Sequence, residues 1–337
     1  MTPHLACPVH ESSQIGDARR QAARLASKLG FNELALGRLA LLVTELATNL
    51  VRHAREGLLL IGPCTQGQVA AIELISVDRG PGMRNVQQSL ADGVSTGGTA
   101  GTGLGAVKRL SSQFLAFSKL GFGTVIVARM TADNSAMDDA PHEHGPLAFA
   151  GLCVAAPGEV MSGDSWACRR SGATASLMVA DGLGHGPDAA AAADAAVKVF
   201  LASPGRAAQE VLETCHAALR STRGAAVAAI DIDAEARVVT HCGAGNISAR
   251  ILSGLEDRSM LSQHGTVGLQ IRKIQSVRYE LPPHALLVAH SDGIATRWDL
   301  KQVPELLTCD PIILAAHLVR NHLRGRDDAS VVVVHCN

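Results

Sequence analysis

The chain has 337 residues, 47% of them hydrophobic, which is enough for two domains that each bury a core. Its 30 basic and 31 acidic residues leave a net charge of -1, which excludes a strong overall field toward nucleic acid or an anionic membrane. The eight cysteines include no CxxC pair, which favours reduced thiols and no zinc site. There is also no signal-peptide pattern and no uninterrupted apolar run of the roughly 18 residues that span a membrane, so we expect a cytoplasmic protein.

Helical and strand-like segments alternate through the first 130 residues, a pattern typical of an α/β sandwich. Gly30 follows the first helix as a C-cap, and a glycine-dense stretch precedes the third helix. The periodicity predicts helices over residues 12–29, 33–54 and 104–110 and strands over 58–61, 69–77 and 124–130.

Three motifs of this half carry the residue types of a nucleotide site. Glu45 and Asn49 are four residues apart on the second helix, so both project from one face. Asn49 can offer a carbonyl oxygen to Mg²⁺, and Glu45 can accept a proton from an attacking hydroxyl or water. Asp78 follows a strand and can accept the adenine amino hydrogen, while backbone N–H groups of the glycine loop at residues 97–105 can cradle phosphates. Taken singly, Glu45 and Asn49 also fit the polar surface of an amphipathic helix.

The order of these motifs resembles the N box, DxGxG box and GxGxG box of the GHKL (Bergerat) ATP-binding fold. The phrases VTELATN, DRGPGM and ADGVSTGGTAGTGLGAVKRL are similar to those of the RsbT-like branch of the anti-sigma-factor serine kinases, and the resemblance covers nearly all of residues 5–130. It implies ATP and Mg²⁺ binding by Asn49, a general-base role for Glu45 and adenine recognition by Asp78. It also implies nucleotide contacts at Gly80, Gly82, Gly101, Gly103, Gly105 and Thr124.

A histidine kinase shares these boxes, but we expect a different activity. The ATP-binding segment begins almost at Met1, which leaves no room upstream for a phospho-acceptor helix pair. The interval between Gly82 and Gly98 is also short for the long ATP lid of a chaperone or topoisomerase. A protein serine kinase is therefore the expected activity of this half.

A polar, acidic stretch without periodicity separates this half from the next. We place a linker at residues 131–145, between an ATP-binding domain over residues 1–130 and a second domain over residues 146–337. The second domain alternates strand-like runs with alanine-rich stretches, and alanine favours helices that pack closely on a sheet. Strands are predicted over residues 147–155, 174–180, 225–232, 238–242, 286–290 and 330–334, and helices over 189–201, 207–220 and 312–323.

Four short segments of the second domain place an aspartate beside a tight-turn residue. They are SGD ending at Asp164, DGLGHG beginning at Asp181, SDG around Asp292, and RDD with Asp327 and Asp328. An isolated Asp-Gly usually forms only a turn. Carboxylates at strand ends, however, suit hard cations such as Mg²⁺ or Mn²⁺, which take oxygen ligands. A pair of such ions activates a water as a nucleophile for phosphorus, so the set predicts metal-dependent phosphate hydrolysis.

In this order the segments resemble the PP2C-type protein serine/threonine phosphatases, in particular the RsbX- and SpoIIE-like bacterial branch, over about residues 147–334. The resemblance implies an αββα sandwich with a binuclear Mg²⁺ or Mn²⁺ centre. Asp181 would be the catalytic bridging ligand, with Asp164 and the Gly182 carbonyl completing one metal site. Asp292 and Asp327 would complete the other. The aspartate after Asp327 would support the ligands, and no basic residue is assigned to the substrate phosphate.

The two resemblances together imply a bifunctional switch, in which a serine kinase is fused to a phosphatase that opposes it. The expected substrate is a serine or threonine of a STAS-domain protein in a stressosome or sigma-factor circuit, because both kinds of relative act in one partner-switching circuit. Unregulated opposing activities on one substrate hydrolyse ATP futilely, so we expect different targets or mutually exclusive active states. Two alternatives stay open: a phosphatase gated by a non-catalytic ATP- or partner-binding module, and a sequestering anti-sigma protein.

Overall fold

The computed structural model of the chain describes residues 2–66, 69–90, 103–133, 146–254 and 256–336. The chain forms two compact units, one over His4–His142 and one over Glu143–Asn337 with the first three residues. Most of the predicted linker and of the predicted glycine loop lies outside the described residues. Both units combine helices and sheets, which confirms the two-domain α/β class.

The first unit consists of helices packed on an antiparallel sheet of five strands in the order β1-β2-β3-β5-β4. The strands are β1 Leu5–Pro8, β2 Leu58–Gln66, β3 Val69–Val77, β4 Gln113–Lys119 and β5 Gly123–Thr131. The helices are α1 Ser12–Lys28, α2 Glu33–His53, α3 Val86–Leu90 and α4 Gly103–Leu110.

The core of this unit lies between α1, α2 and one face of the sheet. Leu39, Leu42 and Leu46 recur at helical spacing on α2 and are 0–1% exposed. They pack in one cluster with sheet residues such as Ile61 and Leu74. By length and composition alone α2 could cross a membrane, since its mean hydropathy reaches 1.5 over an 18-residue window. Its buried leucines instead identify it as the core helix of this domain.

The second unit is a sandwich of two antiparallel five-stranded sheets, ordered β15-β10-β9-β8-β7 and β12-β11-β16-β17-β6. Its helices are α5 Pro187–Leu201, α6 Ala208–Ala218 and α7 Pro311–His322, with 3₁₀ turns at Leu219–Ser221 and Pro304–Thr308. Its strands are β6 Leu147–Val154, β7 Asp164–Ser171, β8 Thr174–Gly182, β9 Ala225–Asp233, β10 Val238–Ala244, β11 Ser248–Leu252, β12 Asp257–Met260, β13 Gly265–Thr266, β14 Gln270–Ile271, β15 Val277–Glu280, β16 Leu286–His290 and β17 Ala329–Cys336.

Alternating strand positions divide the residues of this unit between two layers. Leu177 and Val179 face the second sheet, where they join Leu287 and Val332 in the central core. Their strand neighbours Met178 and Ala180 lie in a separate cluster with α5 and α6. Helix α7 packs against β6 and β17 of the second sheet. The layers are therefore α, β, β, α, as predicted.

Several strands were not predicted from the sequence, and most of them lie at sheet edges. β7 reads DSWACRRS and is the last strand of its sheet. Edge strands carry polar side chains because one side of their backbone is unpaired, so the hydrophobic signal is weak. β1, β4, β12 and β15 are also edge strands, and β11 was missed as well. The omission of β7 matters, because β7 begins at Asp164.

Glu73 is a buried carboxylate on β3 that Arg129 of β5 and His4 hold in place. Its Oε2 accepts from the Arg129 guanidinium at 2.6 Å, and its Oε1 lies 3.2 Å from His4 Nε2. Burial raises the pKa of Glu73, but Arg129 and His4 outweigh burial and bring the pKa down to about 2. The ionised carboxylate therefore stabilises the fold above its ordinary pKa of 4.5, and this stabilisation is lost as the pH falls toward 2.

Replacing Glu73 with leucine is expected to lower the unfolding free energy of the first domain by about 3 kcal/mol, because the Arg129 cation loses this partner. Hydrogen exchange of peptides from β3 and β5 measures the loss where it occurs. The double variant Glu73→Leu/Arg129→Leu is the matched control, since removing both charges restores much of the stability. Exchange in the single variant as slow as in the parent chain would contradict this account.

Candidate functional sites

The first candidate site lies along α2. Glu45 and Asn49 are one helical turn apart and half-buried, and each is followed in the sequence by a buried leucine, Leu46 and Leu50. The side-chain nitrogen of Asn49 is buried and has no hydrogen-bond partner within the described ranges. A buried amide left unpaired costs about 1–3 kcal/mol. This residue therefore fits a position at which a ligand completes the hydrogen bonding.

The turn after β3 places Asp78 beside the end of α2. The Asp78 N–H donates to the Thr124 carbonyl at 3.0 Å, and its Oδ1 accepts from the Gly80 N–H at 2.5 Å. A Cβ on Gly80 would lie 2.8 Å from the carbonyl of His53, the last residue of α2. Gly123 has φ +93° and would place a Cβ 2.0 Å from the Asp78 carbonyl. Glycine is thus required for the close approach that fixes Asp78.

Gly82 lies against the hairpin that joins β4 to β5, and Thr124 is the second residue of β5. Gly82 has φ +72°, and a Cβ there would lie 2.1 Å from the Lys119 carbonyl oxygen. Ser118 joins the two segments, because its Oγ accepts from the Met83 N–H at 2.7 Å and lies 2.9 Å from Thr124 Oγ1. Sequence reasoning missed Ser118, which shows no motif of its own.

The predicted phosphate loop is described only at its end. Gly103 is the first residue of α4 and Gly105 is buried within its first turn, where α4 packs against α2. The backbone N–H groups at the start of a helix have no partner within the helix and suit an anion. Gly101 lies outside the described residues. The structure thus packs α4 against the helix that carries Glu45 and Asn49, and the nucleotide-binding role of each remains a prediction.

The second candidate site centres on two aspartates that face each other across neighbouring strands. Asp164 begins β7 and is paired in register with Asp181 near the end of β8. Asp164 is 2% exposed, and neither of its carboxylate oxygens has a hydrogen-bond partner among the residues that the structure describes. Like charges placed directly opposite destabilise a sheet. This arrangement calls for a cation.

The other two aspartate segments lie at the ends of the adjacent central strands of the second sheet. Asp292 follows β16, and its Oδ2 accepts from Asn246 Nδ2 at 2.7 Å. Asp327 is exposed in the loop before β17. The next residue, Asp328, is buried, and its Oδ1 accepts from the Ala156 N–H at 2.8 Å. Asp328 thereby fixes the segment that leads into β7, and Asn246 is a neighbour of the site that the sequence did not reveal.

The carboxylates influence each other electrostatically. Burial raises the pKa of Asp181, and the charges of Asp164, Asp292, Asp327 and Asp328 raise it further. Burial likewise raises the pKa of Asp164. A raised carboxyl pKa means that the ionised form lacks a compensating positive charge. The predicted ligands therefore lie near enough to raise the pKa of Asp181, in a field that favours a multivalent cation.

Gly182 shapes the loop beneath these carboxylates. Its N–H donates to the Gly163 carbonyl at 2.9 Å, and a Cβ at Gly182 would lie 2.1 Å from the Ala189 carbonyl oxygen. Within the described part of the chain, no three His, Cys, Asp or Glu side chains already stand close enough to hold a bare metal ion. Mg²⁺ usually keeps several waters and binds through one or two carboxylates. The buried, unpartnered oxygens of Asp164 and the spread of the other carboxylates fit such hydrated ions.

A buried histidine supports the loop that carries Asp292. His290 ends β16, and its Nδ1 lies 2.8 Å from the Ser291 carbonyl oxygen. Its Nε2 accepts from Trp298 Nε1 at 3.3 Å, so the ring donates to Ser291 through Nδ1–H. Burial lowers the pKa of His290 to about 4, which keeps the ring neutral at physiological pH. No sequence pattern indicates this support, because Trp298 lies in an irregular segment.

Two family models match the sequence. The model described as Histidine kinase-like ATPase domain matches residues 9–130, and the model of Stage II sporulation protein E (SpoIIE) matches residues 171–337. Asp164 lies before the second range, and its pairing with Asp181 is what adds it to the cluster. The matches fall on the two halves that carry the two candidate sites.

Individual relatives agree with this division. The serine/threonine-protein kinase RsbT of Bacillus subtilis (strain 168) is 34% identical over 111 residues, which are 33% of this chain and 84% of RsbT. A structure reported as "The bacterial stressosome: a modular system that has been adapted to control secondary messenger signaling" is 28% identical, covers 56% of this chain and 98% of its own, and has a TM-score of 0.53. RsbX in complex with magnesium shares the fold, with 20% identity, 57% of this chain and 96% of RsbX covered, and a TM-score of 0.51.

Proposed function

Because this chain belongs to the RsbT family of serine/threonine-protein kinases through its first domain and carries a SpoIIE-type PP2C phosphatase as its second, we propose that it is a bifunctional partner-switching regulator. Its kinase site transfers phosphate from ATP to a serine or threonine of a STAS-domain protein, and its phosphatase site hydrolyses such a phosphoester. The place of action is the cytoplasm. Residues 1–130 form the kinase domain, residues 131–145 the linker and residues 146–337 the phosphatase domain.

The observation that carries the phosphatase half is the Asp164–Asp181 pair. Two carboxylates, one buried and one half-buried, stand opposite each other on β7 and β8. Uncompensated charge in this position costs several kcal/mol, and a bound divalent cation removes that cost. Asp181 would be the ligand shared by the two ions, Asp164 and the Gly182 carbonyl would hold one of them, and Asp292 and Asp327 would hold the other.

In this proposal the residues of the phosphatase site bind the metal ions and orient the metal ligands. A bound Mg²⁺ or Mn²⁺ pair supplies a water of lowered pKa as the nucleophile for the phosphoester. Asn246 orients Asp292, since its amide donates to one carboxylate oxygen and leaves the other oxygen for a ligand. His290, Ser291 and Asp328 hold the surrounding loops in place.

The proposed kinase activity depends on two residues of α2, Asn49 and Glu45. ATP with Mg²⁺ supplies the phosphoryl group, and Asn49 holds the ion through its side-chain carbonyl. Glu45, one turn away, accepts the proton of the partner's hydroxyl as the new bond to phosphorus forms. Asp78, fixed by Gly80, accepts from the adenine amino group. Gly82, Gly103, Gly105 and Thr124 would contact the rest of the nucleotide, and the same role is proposed for Gly101, which lies outside the described residues.

A phosphoryl-transfer experiment tests this proposal. The full-length Asp181→Asn variant, which cannot remove what it adds, is incubated with a candidate STAS-domain protein, Mg²⁺ and γ-labelled ATP. Label is expected on a serine or threonine of the partner. Adding Glu45→Ala is expected to lower the transfer rate about 100-fold or more, because the variant loses its general base.

The same experiment separates kinase from binding module. Absence of label on the partner with both the parent chain and Asp181→Asn would sink the kinase claim. If Glu45→Ala then altered only the partner's effect on phosphatase activity, the first domain would be a non-catalytic module that gates the second. A parallel assay of phosphatase activity on the same proteins tests the second domain independently of the kinase result.

A further inference from the structure

The phosphatase site as described is rich in carboxylates, yet its substrate is an anion. We propose that Arg223 binds the substrate phosphate beside the metal ligands. This inference deepens the proposed phosphatase function and rests on it. The sequence suggested no residue for this task, since Arg223 lies in the unremarkable segment RSTRGAA before β9.

Backbone pairing places Arg223 at the active end of the sheet. In the register of β8 and β9, Asp181 pairs with Ala226 and Gly182 with Ala225. Arg223 stands two residues before Ala225, and the carbonyl of the intervening glycine accepts from the Leu183 N–H at 3.0 Å. The Arg223 backbone is thus tied to the loop that directly follows the bridging aspartate.

The guanidinium group reaches over that loop. Arg223 Nη1 lies 3.4 Å from the position that a Cβ on Gly184 would occupy. On its other side, the Gly184 carbonyl oxygen lies 3.3 Å from the corresponding position on Gly163, the residue before Asp164. Gly184 is therefore a near neighbour of both the Arg223 guanidinium and Gly163, the residue before β7. A larger side chain at Gly184, which has φ +86°, would push the guanidinium away.

The present partner of Arg223 is easily exchanged. Arg223 Nη2 lies 2.7 Å from Asp188 Oδ2, and the two side chains are 54% and 68% exposed. Exposed ion pairs contribute about 0–1 kcal/mol. A phosphate dianion is a stronger partner, because the planar guanidinium donates two parallel hydrogen bonds to its oxygens. Asp188 keeps the guanidinium at the site until the substrate phosphate replaces it.

Other exposed arginines beside the aspartate loops compete for this role, and Arg326 is the one next to a proposed ligand in the sequence. Arg326 is exposed and directly precedes Asp327 in the loop before β17. Arg223 is favoured because its guanidinium is held by Asp188 next to the loop that joins Asp181 to α5. Both arginines are included in the test.

Hydrolysis of a phosphoserine peptide by the full chain with Mn²⁺ tests the proposal. Arg223→Gln is expected to raise KM about 10- to 100-fold while kcat changes little, because the lost contact serves ground state and transition state alike. Calorimetric binding of inorganic phosphate to the Mn²⁺-loaded chain, which needs no turnover, is expected to weaken by a similar factor. Arg223→Lys is expected to recover part of the affinity through a single point charge.

Matched variants make the result specific. Arg220→Gln removes an exposed arginine three residues earlier and is expected to behave like the parent chain. Asp188→Asn removes the carboxylate that phosphate displaces from Arg223 and is expected to keep or raise the phosphate affinity. Unchanged KM and phosphate affinity in Arg223→Gln would overturn the proposal. An equal loss of phosphate affinity in Asp188→Asn would also overturn it, because it would show that the Arg223–Asp188 ion pair only holds the loop. A loss of phosphate affinity confined to Arg326→Gln would assign the role to Arg326 instead. Failure of the phosphatase function itself shows separately, as Mn²⁺-dependent hydrolysis that Asp181→Asn leaves intact.

Discussion

Replacing Asp181 with asparagine is expected to lower phosphatase turnover about 1,000-fold or more, because the metal pair loses its bridging carboxylate. Mn²⁺-dependent hydrolysis of a phosphoserine peptide measures the effect. The same substitution is expected to stabilise the metal-free domain. Burial and the neighbouring carboxylates raise the pKa of Asp181 to about 9, so at neutral pH the metal-free fold must take up a proton at this carboxyl. That uptake costs stability above the ordinary pKa of 3.8, and asparagine removes the cost.

Thermal unfolding therefore provides a second readout. Without metal, the melting temperature of Asp181→Asn is expected to lie above that of the parent chain. Mn²⁺ is expected to raise the melting temperature of the parent chain but not that of Asp181→Asn. Asp231→Asn is the matched control on the neighbouring strand. Asp231 accepts from Ser176 Oγ and from the Ala208 N–H, both at 2.7 Å, so its replacement should lower stability and spare turnover. A metal-free Asp181→Asn that melts below the parent would argue against the metal site.

Asn49→Ala is expected to weaken Mg²⁺-ATP binding about 100-fold, because the nucleotide's ion loses its amide ligand. The free protein is expected to be as stable as the parent chain or more so. The Asn49 side-chain nitrogen is buried without a partner among the described residues, and its removal relieves an unmade hydrogen bond. Calorimetry with ATP and unfolding without it measure the two effects.

Asn32 at the start of the same helix gives the opposite pattern. Its side chain accepts from the Ala35 N–H at 2.9 Å and caps α2. Asn32→Ala is expected to cost about 1 kcal/mol of stability and to leave ATP affinity nearly unchanged. If Asn49→Ala instead destabilised the domain and kept its ATP affinity, Asn49 would be a structural residue of the core helix.

The parts of the two sites that the sequence predicted are those next to strong local patterns. Asp181 directly follows an apolar run and Asp292 comes three residues after another, and both runs form interior strands, so the place of these aspartates at strand ends could be inferred. Glu45 and Asn49 stand on a long amphipathic helix whose periodicity fixes their common face. Local periodicity is enough for such residues.

The parts that the sequence did not predict depend on pairing between distant segments. Asn246 contacts Asp292 across 46 positions, and Ser118 joins Met83 across 35. The register that sets Asp164 against Asp181 belongs to an edge strand with little hydrophobic signal. Arg223 acquires its position only when β8 and β9 are aligned. Such contacts are set by tertiary packing, which a single sequence does not display.

Two opposed activities in one chain predict a characteristic response of the partner. With one target, the parent chain must either alternate between kinase and phosphatase states or consume ATP without net change. Separate targets would instead leave each phosphosite under one activity. The variants Glu45→Ala and Asp181→Asn isolate the two halves within the full-length protein.

The steady-state phosphorylated fraction of a STAS-domain partner, measured by intact mass with ATP, Mg²⁺ and Mn²⁺, decides whether both activities reside in this chain. The account predicts a high fraction with Asp181→Asn, a lower fraction with the parent chain and none with Glu45→Ala, which should also dephosphorylate partner that was phosphorylated beforehand. Equal fractions with all three chains would contradict it.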